Sequence, residues 1–270
     1  MLLKQALRLY KARFKTIIPL SILSFSAIML SDAVTPKGSG SGLSALAGIL
    51  SFVVTYLTSI ALMYAVSDTQ ADEENYLTYY QHAWNIIVQY TWLSLVVSCV
   101  VMAGIALAII PGIILAIYFC FALYIVAFEN LKGLPALTQS YNYVKGNWWG
   151  IFGRILFLMI CVIFISFVFA LLIFILLGDT VIAAVIGEFF QTFFIIPFGI
   201  GFLYILYSEV RGLKAGPIIE TDVVRTRKLI VITVIVGVVV VFAYSIFFGP
   251  YLKKAYEKLE SEQTSASLQK

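Results

Sequence analysis

Residues 111–154 read PGIILAIYFCFALYIVAFENLKGLPALTQSYNYVKGNWWGIFGR, and their reading decides the fold. Pro111-Gly112 is a turn signal. The run that follows carries no charged side chain until Glu129. Such a run is read as a membrane-spanning helix, because every backbone polar group in hydrocarbon must be satisfied within the segment. The next segment, 131–148, is polar with a helical rhythm and ends at Trp148-Trp149, against another apolar run. Tryptophan and tyrosine favour the membrane–water boundary, since one end of each ring is apolar and the other wet. The unit is therefore a transmembrane hairpin preceded by an interfacial helix.

Working outward, the composition agrees. The chain has 270 residues, of which 61% are hydrophobic and 12% charged. Soluble domains carry about 25% charged residues. A chain this apolar has no water-soluble fold that would hide its surface, so its solvent is lipid. The fold expected is an all-α, polytopic membrane protein. The net charge of +4 is modest, and its lysines and arginines cluster in a few connections, as in a topology signal and unlike a nucleic-acid footprint.

Residues 1–15 form an amphipathic interfacial helix, with Lys4, Arg8, Lys11 and Lys15 on one stripe and Leu3, Leu7, Tyr10 and Phe14 on another. Thr16–Met29 is the first span, read as a retained helix although Ser31-Asp32-Ala33 resembles a cleavage site. A Gly/Ser-rich loop around Lys37 leads to the second span, Leu43–Val66, whose hydroxyls are expected to bond back one turn. An acidic segment and a second interfacial helix at 74–90 precede the third span, Thr91–Ile110. Pro111-Gly112 makes a tight hairpin into the fourth span, Ile113–Phe128. The third interfacial helix, 131–148, leads to the fifth span, Ile151–Leu177. After a loop at Gly178–Glu188, Phe189–Tyr207 is the sixth, kinked at Pro197. Residues 1–208 thus form a six-span membrane domain, 209–228 a cytoplasmic connection, and 229–270 a seventh transmembrane helix (229–248) with a polar tail.

With seven crossings, one side holds segments 1–15, 67–90, 129–154 and 209–228, and with them 13 of the 18 lysines and arginines. That side is expected to be cytoplasmic, with the N-terminus inside and the C-terminus outside, in the cytoplasmic (inner) membrane. Placing Tyr10, Trp84 and Tyr141 in register puts Ile18, Trp92 and Trp149 eight positions later, each at the mouth of a span. This suggests three repeats of an interfacial helix followed by a hairpin, with the seventh span added.

The motifs Pro111-Gly112, Glu129, Ala136-Leu137, Ser140-Tyr141, Val144-Lys145-Gly146 and Trp148-Trp149 carry a resemblance. They resemble the membrane domain fused to some bacterial glycerophosphodiester phosphodiesterases and shared by stand-alone bacterial membrane proteins of unknown function. The resemblance implies a six-helix membrane domain. It is close over 111–154, loose over the other spans, and leaves out the seventh. It does not bring the enzyme, whose soluble barrel needs about 250 further residues.

The residues name no chemistry. Cys99, Cys120 and Cys161 lie in apolar runs without metal-ligand spacing, and His82 is the sole histidine. Glu129, Asp179, Glu188 and His82 each stand alone as candidates for catalysis. No catalytic, cofactor-binding or metal site is expected. The central parts of the spans hold no Asp, Glu, Lys, Arg or His, which speaks against an ion-coupled pump. The polar group of interest is Glu129 with Lys145 and Arg154. Glu129 is expected to pair with one of the two as a structural ion pair. Lys145 and Arg154 are the candidate contacts for a lipid headgroup, with Gly146 allowing close approach. Tyr10, Trp84, Trp92, Tyr141, Trp148 and Trp149 are interfacial anchors; Pro111, Gly112 and Pro197 shape hairpin and kink. The reading of function is a non-enzymatic scaffold, accessory subunit or lipid-associated module, with membrane lipids and another membrane protein or a second copy as partners. The alternative is a transporter or permease for a lipid-like or apolar substrate. A lipid-modifying enzyme is supported least.

Overall fold

The computed structural model describes residues 2–34, 42–67, 76–214, 222–240 and 242, and all elements among them are helical. In chain order these are α1 (Leu2–Ala12), α2 (Phe14–Val34), α3 (Gly42–Ser67), α4 (Tyr76–Leu107), α5 (Ile109–Phe119), α6 (Ala122–Glu129), α7 (Leu134–Val144), α8 (Trp148–Leu177) and α9 (Val181–Phe190). A π turn (Gln191–Ile195), α10 (Ile196–Lys214) and a final helix α11 (222–240) complete it. Among the described residues six segments are long and apolar enough to cross a membrane: α2, α3, α4, α5 with α6, α8, and α9 through α10. The protein is an all-α, multi-pass membrane protein. The Lys37 loop, the acidic run 68–75, residues 215–221 and the tail lie outside the described residues, as does most of the seventh span beyond 240.

Two boundaries differ from those expected, each for a local reason. Residues 76–90 are not a separate interfacial helix: α4 runs unbroken through them and the third span for 32 residues. They contain neither glycine nor proline, so nothing stops the helix. At about 48 Å it is far longer than a hydrocarbon core of about 30 Å. The third unit does break, because Gly146 adopts φ +85 between α7 and α8, where a side chain would be strained. The expected loop at 178–188 shrinks, since α9 already begins at Val181, capped by the Thr180 hydroxyl accepting from Ala183 N–H at 3.2 Å.

The α4–α5 hairpin turns on one residue, Ala108, whose extended backbone (φ −172, ψ 157) separates the helices. Pro111 sits in the first turn of α5, where a missing N–H costs no helical bond. Gly112 makes the hairpin close: a Cβ there would lie 2.8 Å from the Ile105 backbone nitrogen. Gly104 faces it, its own Cβ position 2.9 Å from the Gly112 Cα. The Pro-Gly pair thus acts through packing after the turn.

Around Pro197 the helix widens into the π turn, which absorbs the ring. Pro197 has no N–H to give to the Phe193 carbonyl one turn earlier. Tyr10, on α1, supplies the missing donor at 2.7 Å. In α3, Ser59 bonds back to the Thr55 carbonyl at 2.9 Å as expected, whereas Thr58 instead pairs with the Tyr80 hydroxyl of α4 at 2.9 Å.

Burial is uneven along the bundle. The core is densest at one end, built from the last turns of α3 around Ile60–Val66, Tyr79 and Ala83 of α4, α6, α7 and the last half of α10. Seven of the 11 residues of α7 are buried, so it is packed into this end instead of lying flat upon it. In contrast, α8 buries only Ile151 and Leu158 of its 30 residues, and α9 none. Their hairpin is an arm, joined by Phe169 stacked on Phe190 at 3.9 Å and steadied by Phe25 of α2 against Phe189. The helix α11 comes close to α4, with the Cβ position of Gly237 2.8 Å from the Ala103 Cα.

Replacing Gly112 with valine is expected to cost about 1–3 kcal/mol of stability, because the obstructing atoms are backbone. Thermal unfolding in detergent checks this. Gly48→Val, at a site with open space, is the comparison and should change the midpoint far less.

Candidate functional site

Glu129 ends α6 at the packed end of the bundle, followed by Asn130 in the left-handed conformation (φ 53), which an asparagine tolerates at a helix C-terminus. Its side chain is only 12% exposed. A carboxylate in that position needs partners, and it has two hydrogen-bond donors and one cation. Tyr207 of α10 donates at 2.6 Å, Tyr143 of α7 at 2.9 Å, and the Arg211 Nε lies 3.7 Å away. Burial, with the neighbouring Glu129 carboxylate, raises the Tyr143 phenol above its usual range. Tyr207 is also the hub of an aromatic cluster, in contact with Phe121, Tyr124, Phe128 and Tyr143. Glu129 therefore ties α6, α7 and α10 together.

A second tie joins α7 to α10. Lys214 donates from Nζ to the Tyr143 carbonyl at 3.0 Å and to the Lys145 carbonyl. A cation there satisfies the free carbonyls at the C-terminus of α7 and complements its dipole. Ser140 donates to the Tyr118 carbonyl at 2.8 Å, fixing α7 to α5.

The expected partners of Glu129 were Lys145 and Arg154, and the structure gives it neither. Arg154 pairs with Glu209 of α10 at 2.9 Å. Lys145 is exposed at the end of α7, and its carbonyl is what the fold uses. Gly146 serves the turn into α8. Arg154 lies instead beside α1: a cleft of about 840 Å³ is lined by Gln5, Arg8, Arg154, Ser208 and Glu209, with Leu2, Leu9 and Ile205 as apolar wall.

The aromatic anchors divide. Trp84, Trp92 and Trp149 are exposed at 64%, 65% and 77%, as a boundary role requires. Trp148 stacks on Phe152 at 4.9 Å, and Tyr141 packs on Tyr118 at 4.7 Å. Tyr10 serves the freed carbonyl of Phe193. The His82 ring packs at a tilt against Tyr64, with centroids 5.4 Å apart. Among the described residues no three His, Cys, Asp or Glu side chains gather to hold a metal ion.

Sequence reasoning missed Tyr143, Tyr207, Arg211 and Glu209, and it placed Arg8 on the basic stripe of the first interfacial helix without linking it to Arg154. A weak signal existed for two of them: Tyr207 and Arg211 stand one turn apart on a helix, with Glu209 between. No family model, curated protein or solved structure matches this chain.

Tyr207→Phe is expected to destabilise the protein by about 1.5–3 kcal/mol, the cost of a hydrogen bond to a charged group. Tyr143→Phe should cost less, and the pair should couple by more than about 0.5 kcal/mol because both donate to one oxygen. A double-mutant cycle on unfolding in detergent measures the coupling.

Proposed function

We propose that the protein is a non-enzymatic, lipid-associated accessory module of the cytoplasmic membrane, with its packed end and N-terminus on the cytoplasmic side. The observation that carries this reading is the contrast between that end and the α8–α9 arm. At the packed end the ionisable groups with assigned contacts are used as ties: Glu129 by two tyrosines and Arg211, Lys214 by two carbonyls. The arm has almost no neighbours of its own within the chain, with none of its most apolar window buried. Helices associate in lipid by packing, and a surface this open is covered by acyl chains or by a helix of another membrane protein or a second copy. The excess of lysine and arginine on the connections supports the orientation. The motifs of residues 111–154 support kinship with the membrane domains of the phosphodiesterase-fused type.

One observation favours the alternative, a transporter or permease for a lipid-like or apolar substrate. A cavity of about 290 Å³ opens between α8 and α9 beside the π turn, with Ser166, Asp179, Thr180 and Gln191 in its lining. Interrupted helices beside cavities are a feature of transporters.

Native mass measurement after mild extraction tests the first reading. The chain should carry stoichiometric phospholipid, and Phe164→Ala with Phe167→Ala on the exposed face of α8 should leave folding intact. A chain that leaves the membrane bare, and that speeds lipid movement between leaflets of reconstituted vesicles, replaces it with the alternative.

A further inference from the structure

Arg154 stands where two cavities meet. The first is the cleft between α1, α8 and α10. The second, of about 410 Å³, shares Leu2 and Arg154 with it and continues past Gly153 to Phe157 and Phe202. Phe157 lies about one turn beyond Arg154 on α8, on the side away from the packed end. The lining therefore changes from cationic to apolar in the direction that leads into the membrane.

The charge at the mouth suits a phosphate diester. Arg8 and Arg154 oppose the single carboxylate of Glu209, which leaves one positive charge in excess. A guanidinium carries five N–H donors, and Glu209 engages Arg154 through Nη1. That pair is exposed at 39% and 38%, so it holds little stability and leaves Arg154 free to share another anion. Gln5 and Ser208 add neutral polar groups. The apolar part is open: among the described residues, no atom beyond Gly153's own stretch of helix lies within 4 Å of a Cβ placed there. Lys145 lines neither cavity.

We propose that this cleft binds an anionic glycerophospholipid, its phosphate between Arg8 and Arg154 and one acyl chain along Gly153, Phe157 and Phe202. This rests on the lipid-associated reading of function and names the ligand class and the residues. The amphipathic helix α1 then does two things at once. Arg8 closes the headgroup site against α8, while Tyr10 on the same helix holds the π turn.

The test uses the full chain, equilibrated with vesicles of phosphatidylglycerol or of phosphatidylcholine and examined by native mass spectrometry. The parent should retain one phosphatidylglycerol per chain in preference to phosphatidylcholine. Arg8→Ala with Arg154→Ala should reduce that retention about tenfold or more, since each basic contact near a lipid surface contributes to binding. Gly153→Leu should reduce it too, by filling the slot, and it does so without touching the charges. Gly48→Leu, also at an open helical position, should not. Thermal unfolding shows whether the arginine variant is folded; if it is not, Gly153→Leu decides. Unchanged retention in Gly153→Leu and in a folded arginine variant overturns the site while leaving the lipid-associated reading in place. A parent that retains neither lipid overturns that reading itself. Displacement of the lipid by inorganic phosphate assigns the cleft to a free anion and overturns the acyl part.

Discussion

Glu129 is a carboxylate in a place where water reaches it poorly, and the packed end of the bundle is arranged around that constraint. An unpaired charge there would cost several kcal/mol, so the fold brings partners to it. The partners come from two other helices: Tyr143 from α7 and Tyr207 with Arg211 from α10. Because Tyr207 is also the centre of the aromatic cluster, its ring fixes the hydroxyl that the carboxylate needs. Charge satisfaction and packing therefore depend on the same side chain. The Lys214 contacts to the end of α7 repeat the principle on backbone carbonyls.

The same requirement governs the irregular parts of the spans. A helix in lipid has no water to satisfy a freed carbonyl. Pro197 frees the carbonyl of Phe193, and the hydroxyl of Tyr10 occupies it. Ala108 interrupts the backbone between α4 and α5, and the Gly104–Gly112 approach brings the two helices into contact at once. Each break is compensated within a few residues in space, although the compensating residue is remote in sequence for Pro197 and near for Ala108. In the arm formed by α8 and α9 the break is capped locally by Thr180, and the exposure of the arm follows from having few partners.

The spans were legible because apolar length is a local property. The segments around Trp148–Leu177 and Gly42–Ser67 match the apolar runs to within a few residues. The continuity of α4 was also legible in principle, since 76–90 lacks glycine and proline. The aromatic residues there suggested a separate boundary helix, and they are compatible with a long helix that crosses the boundary. The ion pairs were not legible. Glu129, Lys145 and Arg154 are close in sequence, and proximity along the chain favoured pairing among them. In the fold, α7 and the turn at Gly146 separate Lys145 and Arg154 from Glu129, and α10 returns with Glu209 and Arg211 to take their places.

By itself, the amino-acid sequence determined that the chain lives in lipid, that it is helical, and where its apolar segments lie, because hydrophobic length and helical hydrogen bonding are settled within each segment. Tertiary structure alone decided which helix is central and which is an arm, and which cation meets which carboxylate. It also decided that Arg154 belongs with Arg8 and Glu209 in a cleft beside α1. Those outcomes depend on how helices from distant parts of the chain approach one another. The Pro111–Arg154 stretch contains both kinds of outcome: its apolar run announced a span, and its charged residues acquired their partners only when α1 and α10 closed around it.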